Sequence, residues 1–188
     1  MPQTQKTLPK KADAARRKKR RTGFLVLIAA AAIGVGAYVG FADGSDAGYA
    51  QEDVVREQSF RAVHEMEGGP RIRFLPAGQP QPRIEIPRSS HSFGTIGAKD
   101  VVTQTFVIRN AGQAPLTIAR AFTTCGCTVA DISARVIPPG KVALATIRFD
   151  AGFHDTRGQS VQRGLIIESN DRGTPKAEIW VNASVASF

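Results

Sequence analysis

Two cysteines separated by one glycine, Cys125-Gly126-Cys127, are the residues of this sequence with the clearest chemical potential, and they are its only cysteines. In an extended segment, residues two apart project to the same face, and Gly126 permits a bend that brings the two sulfur atoms together. A disulfide here would close a tight ring, since bridged Cα atoms usually lie about 4.4–6.8 Å apart and a fully extended pair reaches or exceeds that limit. Such a bond is expected to be labile or oxidising.

Two other outcomes remain open for the same pair. Two thiolates on one face form a soft ligand set suited to Cu(I). Alternatively, both cysteines are small buried side chains at the end of a strand, with Gly126 in a bulge. The sequence therefore predicts Cys125 and Cys127 as its only candidate metal ligands, with copper as the alternative to having no cofactor.

Other polar residues add no second site. Zinc spacing is absent, because there is neither a second cysteine pair nor an HxxxH motif. His91 and His154 could approach the thiols and lower their pKa, although a single loop histidine is more often solvated. Ser89-Ser90-His91 is typical of a polar turn, and no GxSxG, HExxH or phosphate-binding glycine loop occurs. We therefore predict no catalytic residues, no small-molecule substrate and no enzymatic activity.

The positive charge is confined to one end of the chain. The 188 residues carry a net charge of +9, and residues 1–22 hold nine Lys or Arg and a single Asp. The remaining residues are thus almost neutral. Because a basic surface spread over the domain is missing, the composition argues against a nucleic-acid partner.

An apolar stretch directly follows this basic tail. Residues 23–41 contain no charge and would reach roughly 28 Å as a helix, which is close to the hydrocarbon thickness of a bilayer. The run Arg16–Arg21 before it predicts a cytoplasmic N-terminus and an exported C-terminal part. We expect a retained anchor, while the small-x-small sequence Gly40-Phe41-Ala42 leaves cleavage as the alternative.

Residues 42–82 are predicted to form a linker or stalk. Residues 42–50 are rich in Gly, Asp and Ala, and prolines interrupt residues 70–82. Between them, Asp53 could cap a short helix from Val54 to about Glu67.

From Arg83 to Phe188 the pattern changes to short runs rich in Val, Ile, Thr and Phe, separated by turn residues about every ten positions. Alternation of apolar and polar residues within the runs indicates strands with one buried face. We therefore predict an all-β domain over residues 83–188, an immunoglobulin-like β-sandwich of seven to eight strands. The predicted runs are 83–86, 93–96, 101–109, 116–122, 129–132, 142–149, 161–169 and 177–185.

A series of motifs in this domain resembles the bacterial domain of unknown function 1573, over about residues 83–185. The motifs, in order, are His91-Ser92-Phe93-Gly94-Thr95-Ile96, Phe106-x-Ile108-x-Asn110-x-Gly112, Pro115-Leu116-x-Ile118, Cys125-Gly126-Cys127-Thr128, Ile137-x-Pro139-Gly140 and Ser169-Asn170-Asp171. The resemblance implies an immunoglobulin-like fold related to the abnormal-spindle/Hydin-like and major-sperm-protein domains, often on exported or membrane-anchored proteins. It implies no biochemical role.

The overall layout also resembles that of the membrane-anchored copper-delivery protein of cytochrome oxidase assembly. That family carries Cys-Phe-Cys-Phe, whereas Cys125-Gly126-Cys127-Thr128 stands here, so only the architecture is shared.

Together these features predict a single-pass protein of the bacterial cytoplasmic membrane with a periplasmic sandwich. We expect the sandwich to bind a protein partner of the cell envelope by strand addition, with Leu116–Phe122 as the candidate edge. The alternative function is copper handling or thiol-redox assembly at Cys125 and Cys127.

Overall fold

The computed structural model describes residues 49–64 and 71–188. The predictions for the basic tail (1–22), the membrane span (23–41) and the first part of the stalk (42–48) fall outside these ranges. Within them, no helix has the length and apolar character needed to cross a bilayer.

The described ranges contain ten strands and one short 3-10 turn, Gln51–Asp53. Eight strands correspond to the eight predicted runs, and two further strands of two or three residues are too short to show alternation. In chain order the strands are β1 (Phe60–Ala62), β2 (Ile84–Glu85), β3 (Ser90–Ile96), β4 (Val101–Asn110), β5 (Leu116–Thr123), β6 (Thr128–Ile132), β7 (Val136–Ile137), β8 (Val142–Asp150), β9 (Ser160–Ser169) and β10 (Lys176–Val185).

The strands form two five-stranded sheets. Sheet one has the order β1-β6-β8-β4-β2, and sheet two has the order β3-β10-β9-β5-β7. Omitting β1, β3 and β7, this is the ABED and CFG arrangement of an immunoglobulin constant-type sandwich. The predicted all-β sandwich is therefore confirmed, with more strands than expected.

The core lies between the sheets and is built by the alternation seen in the sequence. Phe106 and Ile108 of β4 face Ile167 of β9 and Ile179 of β10 across the sandwich, and all four side chains are at most 2% exposed. Full burial of each such side chain stabilises the fold by about 1.5–3 kcal/mol.

The helix predicted from Val54 is wrong over the described residues. Val54 instead forms a bridge with Val142, and the Val55 amide donates to the Val142 carbonyl at 2.8 Å. Asp53 does not cap a helix, because its carboxylate binds Lys141. Strand β1 follows and pairs with β6, so the sandwich includes residues that precede the predicted start at Arg83.

The edge predicted at Leu116–Phe122 is wrong over residues 116–119, where β5 has partners on both sides. Strand β9 pairs with it on one side, and β7 covers Leu116 and Thr117 on the other. The Arg135 guanidinium donates to the next two carbonyls, Ile118 O and Ala119 O, at 3.1 and 3.2 Å.

The longest uncovered edge in the described residues belongs to β4 instead. Strand β2 pairs only with Arg109 and Asn110, and no described strand pairs with residues 101–108 on that side. The opposite side of β4 pairs with β8 without a break in register.

Candidate functional site

The two cysteines lie in the turn that connects β5 to β6, one strand in each sheet. Thr123, the last residue of β5, is fully buried, and its hydroxyl lies 2.8 Å from the Thr128 carbonyl and 3.1 Å from the Cys125 carbonyl. The Thr128 amide also donates to the Cys125 carbonyl at 3.1 Å. Side-chain and backbone hydrogen bonds thus hold the turn at both of its ends.

The turn is also attached to β9. The Thr124 amide donates to the Gly164 carbonyl at 3.0 Å, and the Gly164 amide donates to Thr124 Oγ1 at 2.9 Å. This reciprocal pair fixes the cysteines beside the residue that precedes Gly164 in β9, which is Arg163.

Cys125 and Cys127 are joined by a disulfide, with their Cα atoms 5.2 Å apart. Cys125 is half-buried, whereas Cys127 is 4% exposed and packs with Phe149 and Val161 in the core cluster at this end of the sandwich. The Cys127 amide donates to Cys125 Sγ at 3.1 Å. The two sulfur atoms therefore differ in environment, one near the surface and one in the core.

Arg163 is the most unusual neighbour of this disulfide. It pairs with Val181 across β9 and β10, and Val181 is 2% exposed, so Arg163 projects from the core face of the sheet. Its Nε–H donates to Cys127 Sγ at 3.1 Å, and its guanidinium carbon lies 5.8 Å from the centre of the Phe149 ring. No carboxylate of the described residues forms an ion pair with it.

Sequence reasoning missed Arg163, although a signal was present. Its strand reads Val161-x-Arg163-x-Leu165-x-Ile167, in which every second residue faces the core. An arginine at an apolar position of that alternation needs a partner, because an isolated buried charge is strongly unfavourable.

An exposed aromatic ring borders the turn on its solvent side. Phe153 is 56% exposed, and its ring lies 3.5 Å from the position that a Cβ on Gly126 would occupy. His154 contacts this ring edge-on, with ring centres 4.7 Å apart. The disulfide therefore has a solvent side formed by Gly126 and an apolar ring.

The histidines expected near the thiols do not contact them in the structure. His91 packs edge-on against Phe93 of its own strand, and His154 packs on Phe153. The described residues contain no group of three or more His, Cys, Asp or Glu side chains that could hold a metal ion. A two-thiolate copper site at Cys125 and Cys127 stays a prediction, and it requires the disulfide to be reduced first.

The model of a family described as a protein of unknown function, DUF1573, matches residues 84–185. The chain belongs to this family. The resemblance found in the motif series is therefore confirmed, and the matched region contains both cysteines and Arg163. No curated protein matches the chain.

Solved structures match part of the chain at low sequence identity. A protein of unknown function from Porphyromonas gingivalis W83 has a TM-score of 0.50 and 24% identity, and the match covers 55% of this chain and 46% of that one. The secreted serine protease VesC from Vibrio cholerae follows with a TM-score of 0.43, 15% identity and coverage of 54% and 23%. The ASH/PapD-like domain 7 of human CEP192 has a TM-score of 0.41, 11% identity and coverage of 64% and 99%. This chain thus spans less than half of the Porphyromonas protein, and the likeness concerns the fold alone.

Proposed function

We propose that this DUF1573 protein is a non-enzymatic binding module of the cell envelope, held at the cytoplasmic membrane by residues 23–41. Its sandwich binds an extended segment of a protein partner along the uncovered edge of β4. The observation that carries this proposal is the absence of a described strand beside residues 101–108, in a strand whose other side is fully paired.

The direction of the backbone groups supports pairing at this edge. The Asn110 amide donates to the Lys141 carbonyl on the β8 side, whereas the next amide, that of Ala111, donates to Arg83 on the β2 side. Because successive residues of a strand alternate, the amides and carbonyls of the odd-numbered residues 101–107 point away from β8. Such a row of donors and acceptors is a template for another strand.

The side chains at this edge suit an extended partner. Val101 is 49% exposed and Thr103 is also exposed, and both are β-branched residues of the kind that pair well across strands. One of the outward carbonyls, that of Thr105, accepts a hydrogen bond from Gln104 Nε2 at 2.9 Å. A backbone amide of a partner strand would replace Gln104 Nε2 as the donor to the Thr105 carbonyl.

The other sheet edges are less suited to strand addition. Strand β3 has a residue with positive φ, Gly94 at +70°, and its register with β10 shifts between Asn182 and Ser184. Strand β1 has only three residues. Bulges and very short strands are two of the means by which proteins protect sheet edges, and β4 has neither.

The buried polar side chains support a structural rather than a catalytic use. The Asn110 amide group donates to the Ala114 and Ile137 carbonyls, both at 2.8 Å. The Asp171 carboxylate accepts from the Ile84 and Gly173 amides at 2.9 and 2.8 Å. The Asn110 amide and the Asp171 carboxylate thus use their hydrogen bonds to attach loops to strands.

Site-specific photocrosslinking in intact cells tests this binding site. A photoreactive residue at position 103 of the full chain is expected to capture a discrete envelope protein. The same residue at Ser184, which is exposed on β10 between two neighbouring strands, is the matched control and should capture nothing at comparable yield. Equal capture at both positions, or none at position 103, overturns the proposal.

A proline substitution then distinguishes binding through backbone hydrogen bonds, as in strand addition, from binding through side chains alone. Thr103→Pro removes an outward amide and leaves the β8 pairing intact, so capture by a photoreactive residue at position 101 should fall at least tenfold. Thr103→Ser keeps the amide and should retain capture. If Thr103→Pro lowers the melting temperature by more than a few degrees, Thr103→Lys, an edge-blocking charge, replaces it.

Protease protection tests the predicted location. A tag after Phe188 should be digested in spheroplasts and protected in intact cells. Protection in both preparations overturns the envelope assignment while leaving the fold and the edge unaffected.

A further inference from the structure

We propose that the Cys125–Cys127 disulfide is a redox-active pair that exchanges with a dithiol of another protein, and that Arg163 tunes its reactivity. This activity uses residues other than those of the strand-binding function: the disulfide lies in the β5–β6 turn, and the uncovered edge belongs to β4.

The two sulfur atoms of the disulfide differ in their accessibility to an incoming thiolate. Cys125 is half-buried, and the residue after it, Gly126, is exposed, whereas Cys127 is 4% exposed. An incoming thiolate can therefore reach Cys125 Sγ and not Cys127 Sγ. Cys127 is then the leaving group.

Arg163 faces the atom on which negative charge develops when the disulfide opens. When the disulfide opens, Cys127 Sγ becomes a thiolate, and the Arg163 Nε–H already points at that atom from 3.1 Å. Since no described carboxylate pairs with Arg163, its positive charge is available to the sulfur. A neighbouring cation lowers a thiol pKa, and a leaving group of lower pKa departs faster.

The reduced form of the pair gains more stabilisation from Arg163 than the oxidised form does. A guanidinium hydrogen bond to a charged group is worth more than one to a neutral sulfur. Arg163 therefore stabilises the opened state and raises the reduction potential of the pair. This is the arrangement of an oxidant rather than that of an inert structural bond.

The chemistry balances with one co-reactant, the partner's dithiol. One partner thiolate attacks Cys125 Sγ, the Cys125–Cys127 bond breaks, and its electron pair leaves on Cys127 Sγ. The second partner thiolate attacks the partner sulfur of the mixed disulfide and releases Cys125 as a thiolate. The partner ends as a disulfide, the chain ends as two thiols or thiolates, and the two thiol protons of the partner pass to them or to water.

The surface next to the disulfide can receive such a partner. The Phe153 ring is 56% exposed and adjoins Gly126, so it offers an apolar contact beside the reactive sulfur. Exposed aromatic rings of this kind are common anchors in protein contacts.

Redox titration of the full chain in detergent micelles tests the tuning by Arg163. The fraction of disulfide is measured by thiol alkylation across buffers of defined ratios of reduced to oxidised dithiothreitol. Relative to the wild type, Arg163→Gln should lower the equilibrium constant for reduction about tenfold or more, a shift of about 30 mV for each tenfold. Arg163→Lys, which keeps the positive charge, should recover most of the loss.

The control variant is Arg109→Gln, which removes a cation at the far end of β4 and should leave the potential unchanged. Thermal unfolding of every variant separates redox tuning from loss of the fold. An unchanged potential in Arg163→Gln overturns the proposal. So does a disulfide that resists reduction until the domain unfolds, because that behaviour marks a structural bond.

Single-cysteine variants test the order of attack. Cys127→Ser leaves the accessible Cys125 and should accumulate mixed disulfides in cells, seen as bands that a reductant removes. Cys125→Ser leaves the buried Cys127 and should accumulate at least tenfold fewer. Equal trapping by the two variants, or none by Cys127→Ser, contradicts the assignment of Cys125 as the attacked sulfur.

Discussion

The ammonium group of Lys141 lies 2.6 Å from Asp53 Oδ1, so an ion pair joins the segment before β1 to the turn before β8. Beside this ion pair, the Val55 amide donates a hydrogen bond to the Val142 carbonyl. Residues 53–55 are thereby attached to sheet one, where Val54 packs with Val107 and Val142 on the outer face.

This ion pair predicts a pH dependence. The hydrogen bond from Lys141 holds the pKa of Asp53 below its usual value of 3.8, with the Lys141 charge acting in the same direction. A lowered folded-state pKa means that the pair stabilises the attached segment above the usual carboxyl pKa. That contribution is lost as the pH falls through the folded-state pKa. The protection factor of the Val55 amide, which is its hydrogen-exchange rate relative to the intrinsic rate at the same pH, should therefore fall under acid conditions.

Asp53→Asn should lower the protection factor of the Val55 amide at neutral pH as well, and it should remove the acid dependence of that protection factor. Glu52→Gln, which neutralises the adjacent exposed carboxylate, is the control and should leave exchange at Val55 unchanged. Identical exchange in the wild type and in Asp53→Asn would show that the ion pair does not hold the segment.

The turn after β4 depends on Asn110. Its side chain is fully buried, with bonds to two carbonyls, and its Oδ1 also accepts from the Gly112 amide at 3.0 Å. Asn110→Ala leaves these groups without partners, so we expect a loss of about 2–4 kcal/mol in the free energy of unfolding. Urea denaturation followed by circular dichroism measures it, and a loss below 1 kcal/mol contradicts the assigned role.

Gly164 has no room for a side chain. A Cβ there would lie 2.7 Å from the Trp180 ring. Gly164→Ala must displace the ring, and we expect a cost of about 1–3 kcal/mol together with a change in tryptophan fluorescence. Because Trp180 is the only tryptophan of the chain, the fluorescence change reports on this contact alone. Gly158→Ala is a control that strains the backbone, because Gly158 has a φ of +70°, without placing a Cβ against the Trp180 ring, so it should leave the fluorescence unchanged.

The copper alternative makes its own prediction. If reduced Cys125 and Cys127 hold Cu(I), the Arg163 guanidinium 3.1 Å from Cys127 Sγ repels the metal and competes for the sulfur. We therefore expect the reduced wild-type chain to lose Cu(I) to a competing chelator and Arg163→Gln to retain it more tightly. Strong retention by the wild type, with no gain in Arg163→Gln, would favour copper handling over redox exchange.

The strands of this fold were predictable because their signal is local. Several of the eight predicted runs show apolar residues with a period of two, such as Phe106 and Ile108, and turn residues separate the runs. Strands β1 and β7 were not predictable in this way. With two or three residues each, they exist only because β6 and β5 offer backbone partners.

The candidate site was predictable in part for the same reason. Cys125-Gly126-Cys127 is a local motif, but its pairing with Arg163 joins residues 36 positions apart and depends on how β9 packs against the turn. The helix expected from Val54 failed for a related reason, since Asp53 binds Lys141, a residue distant in sequence. Local capping preference was overridden by tertiary contacts.

The pairing of β3 determines when sheet two can be completed. Among the described strands β3 pairs only with β10, in parallel, and Ser90 and its partner Trp180 are 90 residues apart. The earliest strand of sheet two therefore has no hydrogen-bonding neighbour until the final strand has been synthesised. Contacts of such long sequence separation make folding slow and late. Sheet two therefore stays incomplete until the end of the domain has been synthesised, and its first strand is the last to gain a partner.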